Sequence, residues 1–377
     1  MIPLNIGFIP LTDCAPLVVG KAKGFFAGQD LDVSLSREAS WATVRDKVAI
    51  GALDAAHMLG PMTLAASLGV GSAVMPMVAP LALNRNGAAF TISKSLAQAL
   101  RRLDPEAMAK SPTGAQTRAK WIAAKRQAGD PPLTFAVVFP SSLHNYALRY
   151  WLGQAGIDPD RDVRLIVTPP VRMVDQLRAG TIDGFCVGAP WNAAAVSEGL
   201  GEVLIRASEI WPGGSDKVLG ATQAWSKSNP EALQALLRAL LQAGAWADAP
   251  DNRAELSELL GQPEYLGARA ELIGQGLDEE ILFQTKGSAC PVPSQGVWFL
   301  TQMMRWGQIP THIDPVVAAA EVYRPDPYRI AAKSLGLEAI EPQLSADEPQ
   351  VFFDGHPFKP NEAVSYARAF AITRAKR

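Results

Sequence analysis

Two stretches decide the fold: WATVRDKVAIGALDAAHMLGPMTLAA at residues 41–66 and PVRMVDQLRAGTIDGFCVGAPWNAAA at residues 170–195. Each is typical of a helix that ends at glycine, a short turn with an aspartate, a buried strand, and a proline opening the next helix. The pairs that coincide are Gly51 with Gly180, Asp54 with Asp183, and Pro61 with Pro190. This spacing predicts two lobes with the same order of helices, turns and strands. The alternative is that such a spacing of glycine, aspartate and proline recurs by chance in any α/β protein.

Further strand and helix patterns surround these stretches. Strands that alternate with helices predict an α/β fold with a largely parallel sheet in each lobe. A long helix is expected after Asn229, which suits an N-cap, with Pro230 at its first position. Residues 93–127 are expected to be mostly helical and surface-exposed, interrupted by SPTG. The additional strands are predicted at residues 31–37, 133–140 and 162–170.

Composition excludes several classes of protein. The 377 residues include 35 basic and 37 acidic side chains, giving a formal charge of −2. That balance argues against a broad nucleic-acid surface, which needs a basic face. Hydrophobic residues make up 48% of the chain, so it can bury a large core.

Catalytic and metal-binding motifs are missing from the sequence. There is no GxSxG, P-loop, HExxH or helix-opening GxGxxG pattern, and the cysteines and histidines lack metal-ligand spacing. A couple between Cys14 and His144 is formally conceivable, but packing of Cys14 near a helix start is the better interpretation. We therefore expect no enzyme, no cofactor and no metal site.

The first residues indicate a compartment. Alternating apolar residues from Ile2 to Ile9 predict a core strand, and no basic residue precedes Lys21, so the pattern of a secretory signal is absent. No apolar run reaches the roughly 18 residues of a membrane span. We expect a cytoplasmic protein that does not enter the membrane.

Helix starts at strand ends are the remaining chemical signal. They present unpaired N–H groups and partial positive charge, which favour an anion, although every α/β protein has such ends. His144 lies just inside one start and Trp41 begins another helix, while Lys217 lies at the edge of a predicted strand. Each could equally be an ordinary structural or surface residue.

Longer motifs make the sequence recognisable. The chain resembles the nitrate- and bicarbonate-binding proteins of ABC uptake systems over residues 7–358. The motifs that carry the resemblance are GFIPLTDCAPL, ASWATVRD, LDAAHMLGPM, FPSSLHNYALRYWL, TPPVRMVDQLRAGTIDGFCVGAPWNA, WFLTQMMRWG and FFDG. The resemblance implies a type II periplasmic-binding-protein fold with a ligand cleft between two lobes. Lobe one would comprise residues 1–84 and 191–377, and lobe two residues 85–190.

The resemblance also implies a set of anion-binding residues. Two residues of this set, His144 and Lys217, are basic, which suits a monovalent oxyanion. Thr43 is added because the first turn of its helix could reach the pocket. The residues implied by the family motifs are Trp41, His144, Pro170, Val187 and Lys217.

Two positions depart from the family pattern. Ala88 stands where the nitrate-binding members usually have Gln, so one amide hydrogen bond to the anion could be missing or supplied by another group. Ala189 stands where the family commonly has Glu, as in CVGEPWN. A metal-assisted bicarbonate site would want carboxylates there, so the change favours nitrate or nitrite.

The resemblance leaves three functions open. With the expected cytoplasmic location it implies a NasS-type nitrate/nitrite sensor, which holds an RNA-binding antiterminator of the ANTAR class (NasT-type) inactive until the anion binds. The sensor itself would not need to contact nucleic acid. The alternatives are a solute receptor of an ABC importer for nitrate, bicarbonate or another small anion, and an enzyme on the same fold.

Overall fold

The computed structural model describes residues 1–109, 115–277, 281–337 and 350–375. The strands are β1 (Ile2–Phe8), β2 (Leu31–Arg37), β3 (Ala55–Leu59), β4 (Met77–Ala82), β5 (Ala88–Ser93), β6 (Thr134–Val137), β7 (Arg164–Val167), β8 (Gly184–Gly188), β9 (Gly201–Arg206), β10 (Lys217–Thr222), β11 (Gln350–Val351) and β12 (Pro357–Phe358).

The helices between them account for most of the remaining chain. The α-helices are α1 (Ala15–Ala22), α2 (Trp41–Ala49), α3 (Gly60–Ser67), α4 (Lys94–Leu103), α5 (Pro105–Ala109), α6 (Ala115–Gln127), α7 (Leu143–Gln154), α8 (Met173–Arg178), α9 (Trp191–Ser197), α10 (Ala207–Ile210), α11 (Gln223–Ser228), α12 (Pro230–Asp248), α13 (Arg253–Gly261), α14 (Ala270–Leu277), α15 (Pro293–Arg305), α16 (Pro315–Val322), α17 (Pro325–Ser334) and α18 (Ala363–Arg368). No helix of the described ranges is both long and apolar enough to cross a membrane.

Two five-stranded sheets organise the molecule in the same way. The first has the order β2-β1-β3-β10-β4 and the second the order β7-β6-β8-β5-β9. In each sheet, three neighbouring strands run parallel, and the fourth strand in the order is antiparallel to both of its neighbours. Each sheet is therefore mostly parallel, which confirms the predicted fold class.

The aligned stretches are wired alike in three dimensions. The glycine of each has a positive φ, 74° in the first and 67° in the second. Asp54 Oδ2 accepts a hydrogen bond from the Asn5 amide at 2.8 Å, and Asp183 Oδ2 accepts one from the Thr134 amide at 2.8 Å. Both partners lie 49 residues earlier, on the neighbouring parallel strand. This repeated contact supports the prediction of two similarly wired halves over chance punctuation.

One strand bears on the predicted lobe boundary. β9 pairs with β5 in the second sheet, although the sequence assigned everything after residue 190 to lobe one. The second sheet therefore extends past that boundary, to Arg206. The lobe limits otherwise stay a prediction.

The two connections between the sheets lie side by side. Residues 83–87 join β4 to β5, and residues 207–216 join β9 to β10. Arg85 anchors the first connection because its guanidinium donates to the carbonyl oxygens of Ser288, Gly213 and Cys290 at 3.1, 2.9 and 3.2 Å. Burial lowers the pKa of Arg85 to about 10.

Two local expectations differ from the structure. The region predicted as surface-exposed helix contains α4, whose Leu96, Ala97 and Leu100 are buried; the motif SPTG lies outside the described residues. Asn229 precedes α12 as expected, but its side chain does not cap that helix. Its amide donates instead to the Trp225 carbonyl at the end of α11.

Candidate functional site

A buried lysine forms the centre of the candidate site. Lys217 begins β10 and its side chain is fully buried. Its Nζ donates to Asp13 Oδ2 at 2.7 Å and to Asp216 Oδ2 at 2.5 Å. Asp13 lies in the turn that follows β1, so the contact forms at the carboxyl end of a parallel strand, where α/β proteins bind ligands.

His57 and Trp41 extend the cluster on the side of the first sheet. His57 Nε2 lies 2.8 Å from Asp13 Oδ1, while its Nδ1 accepts the Ile9 amide at 3.4 Å. The Trp41 ring packs against His57 with centroids 5.3 Å apart. Lys217 Nζ lies 5.8 Å from the centre of the same Trp41 ring. Trp41 and Lys217, predicted from separate motifs, are thus brought together.

His144 reaches the cluster from the second sheet. It lies in the first turn of α7, after β6, where Ser142 Oγ caps the helix by accepting the Asn145 amide at 3.0 Å. The His144 side chain is fully buried, and its Nε2 lies 3.6 Å from Asp216 Oδ2. The structure therefore joins the third predicted basic or aromatic residue to the same group of charges.

Burial and charge act in opposite directions on these groups. Burial alone would raise the pKa of Asp13, but the charge of Lys217 and the contact with His57 lower it well below its ordinary value. Burial alone would lower the pKa of Lys217, but Asp13 and Asp216 raise it. For His144 burial dominates and lowers the pKa to about 4. The cluster thus holds an ammonium, an ionised Asp13 and a neutral imidazole near pH 7.

Several buried polar atoms around the cluster have no hydrogen-bond partner in the described protein. Such atoms are rare in folded proteins and call for an explanation, of which a ligand is one. Trp41 Nε1 is a donor, and the neutral ring of His144 has one donor nitrogen and one acceptor nitrogen. These atoms include Thr12 Oγ1, Trp41 Nε1, His144 Nδ1, His144 Nε2, Ser215 Oγ and Asp216 Oδ1.

Val187, Thr43 and Pro170 have contacts of other kinds. Val187 is fully buried on β8, and its carbonyl oxygen accepts a hydrogen bond from the side-chain Nδ2 of Asn192 at 2.8 Å. Thr43 Oγ1 lies 2.9 Å from Ser40 Oγ at the start of α2. Pro170 is buried at the first position of the short 3-10 helix Pro170–Arg172. Their roles in binding stay predictions.

The two departures from the family pattern occupy packed positions. Ala88 is buried on β5 opposite Gly188. The Ala189 carbonyl accepts the Thr12 amide at 2.9 Å. A Cβ added to Gly276 of α14 would lie 2.5 Å from the Ala189 Cβ. Position 189 is thus pressed between the turn after β1 and helix α14.

Asp13, His57 and Asp216 are site residues that the sequence motifs did not predict. Signals for each existed: Asp13 follows a predicted strand, His57 is the polar residue within the apolar run AAHML, and Asp216 adjoins Lys217. A carboxylate repels an anion, so the residue type alone does not favour Asp13 or Asp216 as part of an anion site. Among the described residues, no group of three or more His, Cys, Asp or Glu is arranged to hold a metal ion.

Two surface cavities lie apart from this cluster. They have volumes of about 570 and 520 Å³ and flank the loop that follows α15. Neither shares a lining residue with the charged cluster.

The paired sheets and the buried cluster at their facing strand ends define a two-lobed ligand-binding protein with the periplasmic-binding-protein fold. The chain belongs to the NMT1-like family, whose model matches residues 2–261. It is 33% identical to the nitrate/nitrite binding protein NrtA of Nostoc sp. over 98% of this chain and 86% of that protein.

Two further similarities extend over nearly the whole chain. The crystal structure of the periplasmic nitrate-binding protein NrtA from Synechocystis PCC 6803 matches with a TM-score of 0.89 at 28% identity, covering 99% of both chains. The nitrate import ATP-binding protein NrtC of Synechocystis sp. is 39% identical over 99% of this chain. The chain spans only 56% of the length of that NrtC protein.

Proposed function

We propose that this protein binds nitrate or nitrite in the Lys217 cluster and acts as a cytoplasmic sensor. In its anion-free form it would hold a NasT-type antiterminator of the ANTAR class inactive, and anion binding would release that partner. The anion-binding part is supported by the similarity to NrtA proteins. The sensor part is supported by the motif resemblance described above.

The observation that carries anion binding is the meeting of a buried ammonium with unpartnered buried donors. Lys217 Nζ lies 5.8 Å from the centre of the Trp41 ring, and its partner Asp216 lies 3.6 Å from His144 Nε2. The indole nitrogen of Trp41 and the ring nitrogens of His144 have no hydrogen-bond partner in the described protein. A planar oxyanion offers only acceptors, so it would satisfy the donors that the protein leaves unpaired.

Titration calorimetry with nitrate, nitrite, bicarbonate and chloride tests the ligand. We expect nitrate or nitrite to bind more tightly than the other two anions. Lys217→Met should weaken that binding by about tenfold or more, because a hydrogen bond to a charged group contributes about 1.5–3 kcal/mol. Lys227→Met, at an exposed lysine of α11, is the matched control.

Lys217→Met also leaves two buried carboxylates without their cation, which costs about 3–5 kcal/mol of stability. Its thermal unfolding is therefore measured alongside binding. If that variant does not fold, Trp41→Phe serves as the site variant. Equal affinity for all four anions, or unchanged affinity in a folded site variant, would contradict the proposed site.

A pull-down with the antiterminator tests the sensor role. The anion can release a partner only if the partner binds the two conformations of the sensor differently, and the coupling must be reciprocal. We expect capture of the antiterminator by anion-free protein, loss of capture with nitrate, and weaker nitrate binding when the antiterminator is present. A complex that nitrate leaves intact would refute this role.

The alternative is the solute receptor of an ABC importer, which the names of the NrtA and NrtC relatives favour. A receptor would meet its membrane partners outside the cytoplasm. Cell fractionation followed by immunodetection of the native protein distinguishes the two. Detection in the periplasm, together with no capture of the antiterminator, would establish the alternative.

A further inference from the structure

The charges of the candidate site do not favour a bare anion. Asp13 and Asp216 both contact the single ammonium of Lys217, at 2.7 and 2.5 Å, and all three groups are buried. Counting one formal positive charge on Lys217 and one formal negative charge on each of its two carboxylate partners, the cluster carries one net negative charge. A bound nitrate would leave two net negative charges in a desolvated space, which is strongly unfavourable.

The cluster contains one group suited to offset that charge. The Nδ1 atom of His57 already accepts the Ile9 amide, and its Nε2 faces Asp13 at 2.8 Å. Both ring nitrogens of His57 therefore already face a protein group. His144, in contrast, has no hydrogen-bond partner on either ring nitrogen in the described protein, and its Nε2 faces Asp216 at 3.6 Å.

The ionisable groups that face His144 come from two connections. They are Asp216 and Lys217 at the start of β10 and Asp13 in the turn after β1. Cys186 of β8 and Tyr323, which follows α16, experience the charge of Asp216, and burial raises the pKa of both. Both are therefore neutral near pH 7 and cannot supply the missing positive charge.

We propose that the site binds its anion together with one proton, which His144 takes from solvent. As an imidazolium, His144 has a donor on each nitrogen, and the one on Nε2 faces Asp216. The proton restores a net charge of −1 to the loaded cluster. This inference depends on the proposed function, because it assumes that an anion occupies the cluster.

The direction of the pH effect follows from linkage. Without the anion, burial holds the pKa of His144 at about 4. A bound anion favours the protonated ring and raises that pKa. At pH values between the pKa of His144 without the anion and its pKa with the anion, the dissociation constant for the anion should fall as the pH falls, by up to tenfold per pH unit. One proton is taken up per anion in this range.

Calorimetric titration with nitrate between about pH 5 and about pH 8 tests the proposal. Each pH is measured in two cationic buffers that differ in ionisation enthalpy, so that the buffer does not compete for an anion site. We expect binding heats that differ between the buffers by an amount approaching one proton per nitrate at the acidic end. Affinity that is constant across this range, with equal heats in both buffers, would overturn the proposal.

Two variants separate proton binding from packing. His144→Gln keeps a donor but cannot take a proton, so it should bind nitrate with no buffer dependence and a flat pH profile. Asp216→Asn removes one negative charge, so it should bind nitrate more tightly than the wild type at about pH 8 with less proton uptake. A purely structural role of either residue would shift affinity equally at every pH.

The outcomes distinguish this inference from the function on which it rests. Nitrate and nitrite that produce no binding at any pH contradict the proposed function. Nitrate that binds without proton uptake leaves that function standing and contradicts the proton-coupled site. Undiminished proton uptake by His144→Gln would also contradict it, because the proton would then reside on another group.

Discussion

The indole nitrogen of Trp41 is buried and has no hydrogen-bond partner in the described protein, whereas the ring packs 5.3 Å from His57. Trp41→Phe should therefore leave the anion-free protein at least as stable, because it removes an unsatisfied donor and keeps an aromatic ring. The same change should weaken nitrate binding about tenfold. Urea unfolding and calorimetry measure the two effects separately; equal affinity with lost stability would show that the indole only packs.

His144 predicts a pH dependence of stability without ligand. Burial lowers its pKa in the folded protein to about 4 from 6.5. As the pH falls through this range, the unfolded chain binds a proton that the folded chain does not bind, so the stability of the folded protein declines. Urea unfolding at about pH 7 and about pH 5 should show a smaller loss for His144→Gln than for the wild type. An identical loss in both would mean that His144 titrates normally.

Site residues differed in how readily the sequence revealed them. Trp41, His144 and Lys217 stood within recognisable motifs, and the structure brings all three to one cluster. Asp13 and Asp216 could not be assigned to an anion site from the sequence, because a carboxylate there makes sense only once its contact with Lys217 is known. That contact joins residues 204 positions apart for Asp13, which no local pattern reports.

At the scale of elements, the repeated aspartate turn can be tested directly. Asp183→Ala removes the bond from the Thr134 amide, and Asp54→Ala removes its counterpart on Asn5. Each should lower the free energy of unfolding by about 1 kcal/mol, with little change in nitrate affinity. The Asn variants keep an acceptor oxygen and should lose less. Chemical denaturation measures both; a loss confined to one half would show that the two turns are not equivalent.

Local patterns predicted the parallel strands of both sheets and a strand at Lys217, but not the antiparallel pairing of β5 and β10. β3 and β8 could be predicted because a glycine and an aspartate precede each apolar run and a proline follows it. β5 and β10 insert between strands that are remote in sequence, so their pairing depends on loop closure over long distances. The predicted limit of lobe two, at residue 190, excluded β9 because the pairing of β9 with β5 also joins strands that are remote in sequence.

At the scale of the whole molecule, the contact between α14 and the segment after β8 offers a test of whether closure of these segments on each other affects nitrate binding. A Cβ on Gly276 would lie 2.5 Å from the Ala189 Cβ, which is too close for any real contact. Gly276→Ala should therefore force these segments apart and weaken nitrate binding several-fold, because Ala189 also bonds the turn that carries Asp13.

Gly274→Ala is the matched control for that substitution. It lies on the same helix, where an added Cβ would sit 3.4 Å from Ser257 Oγ in ordinary contact. The control should be neutral or slightly stabilising, because alanine favours a helix over glycine. Calorimetry and thermal unfolding compare the pair; equal nitrate affinities would show that the closeness of α14 to Ala189 does not govern binding.

The insertion of β10 between β3 and β4 has a consequence for biosynthesis. Within its sheet β4 pairs only with β10 in the described structure, and every residue of β4 is buried. All strands of the second sheet emerge from the ribosome before Lys217 does. At about 5–20 residues per second, β4 would wait roughly 7–27 seconds for its neighbour. During that interval a fully apolar strand has an open edge, so the nascent chain is a natural client for chaperones that shield such edges.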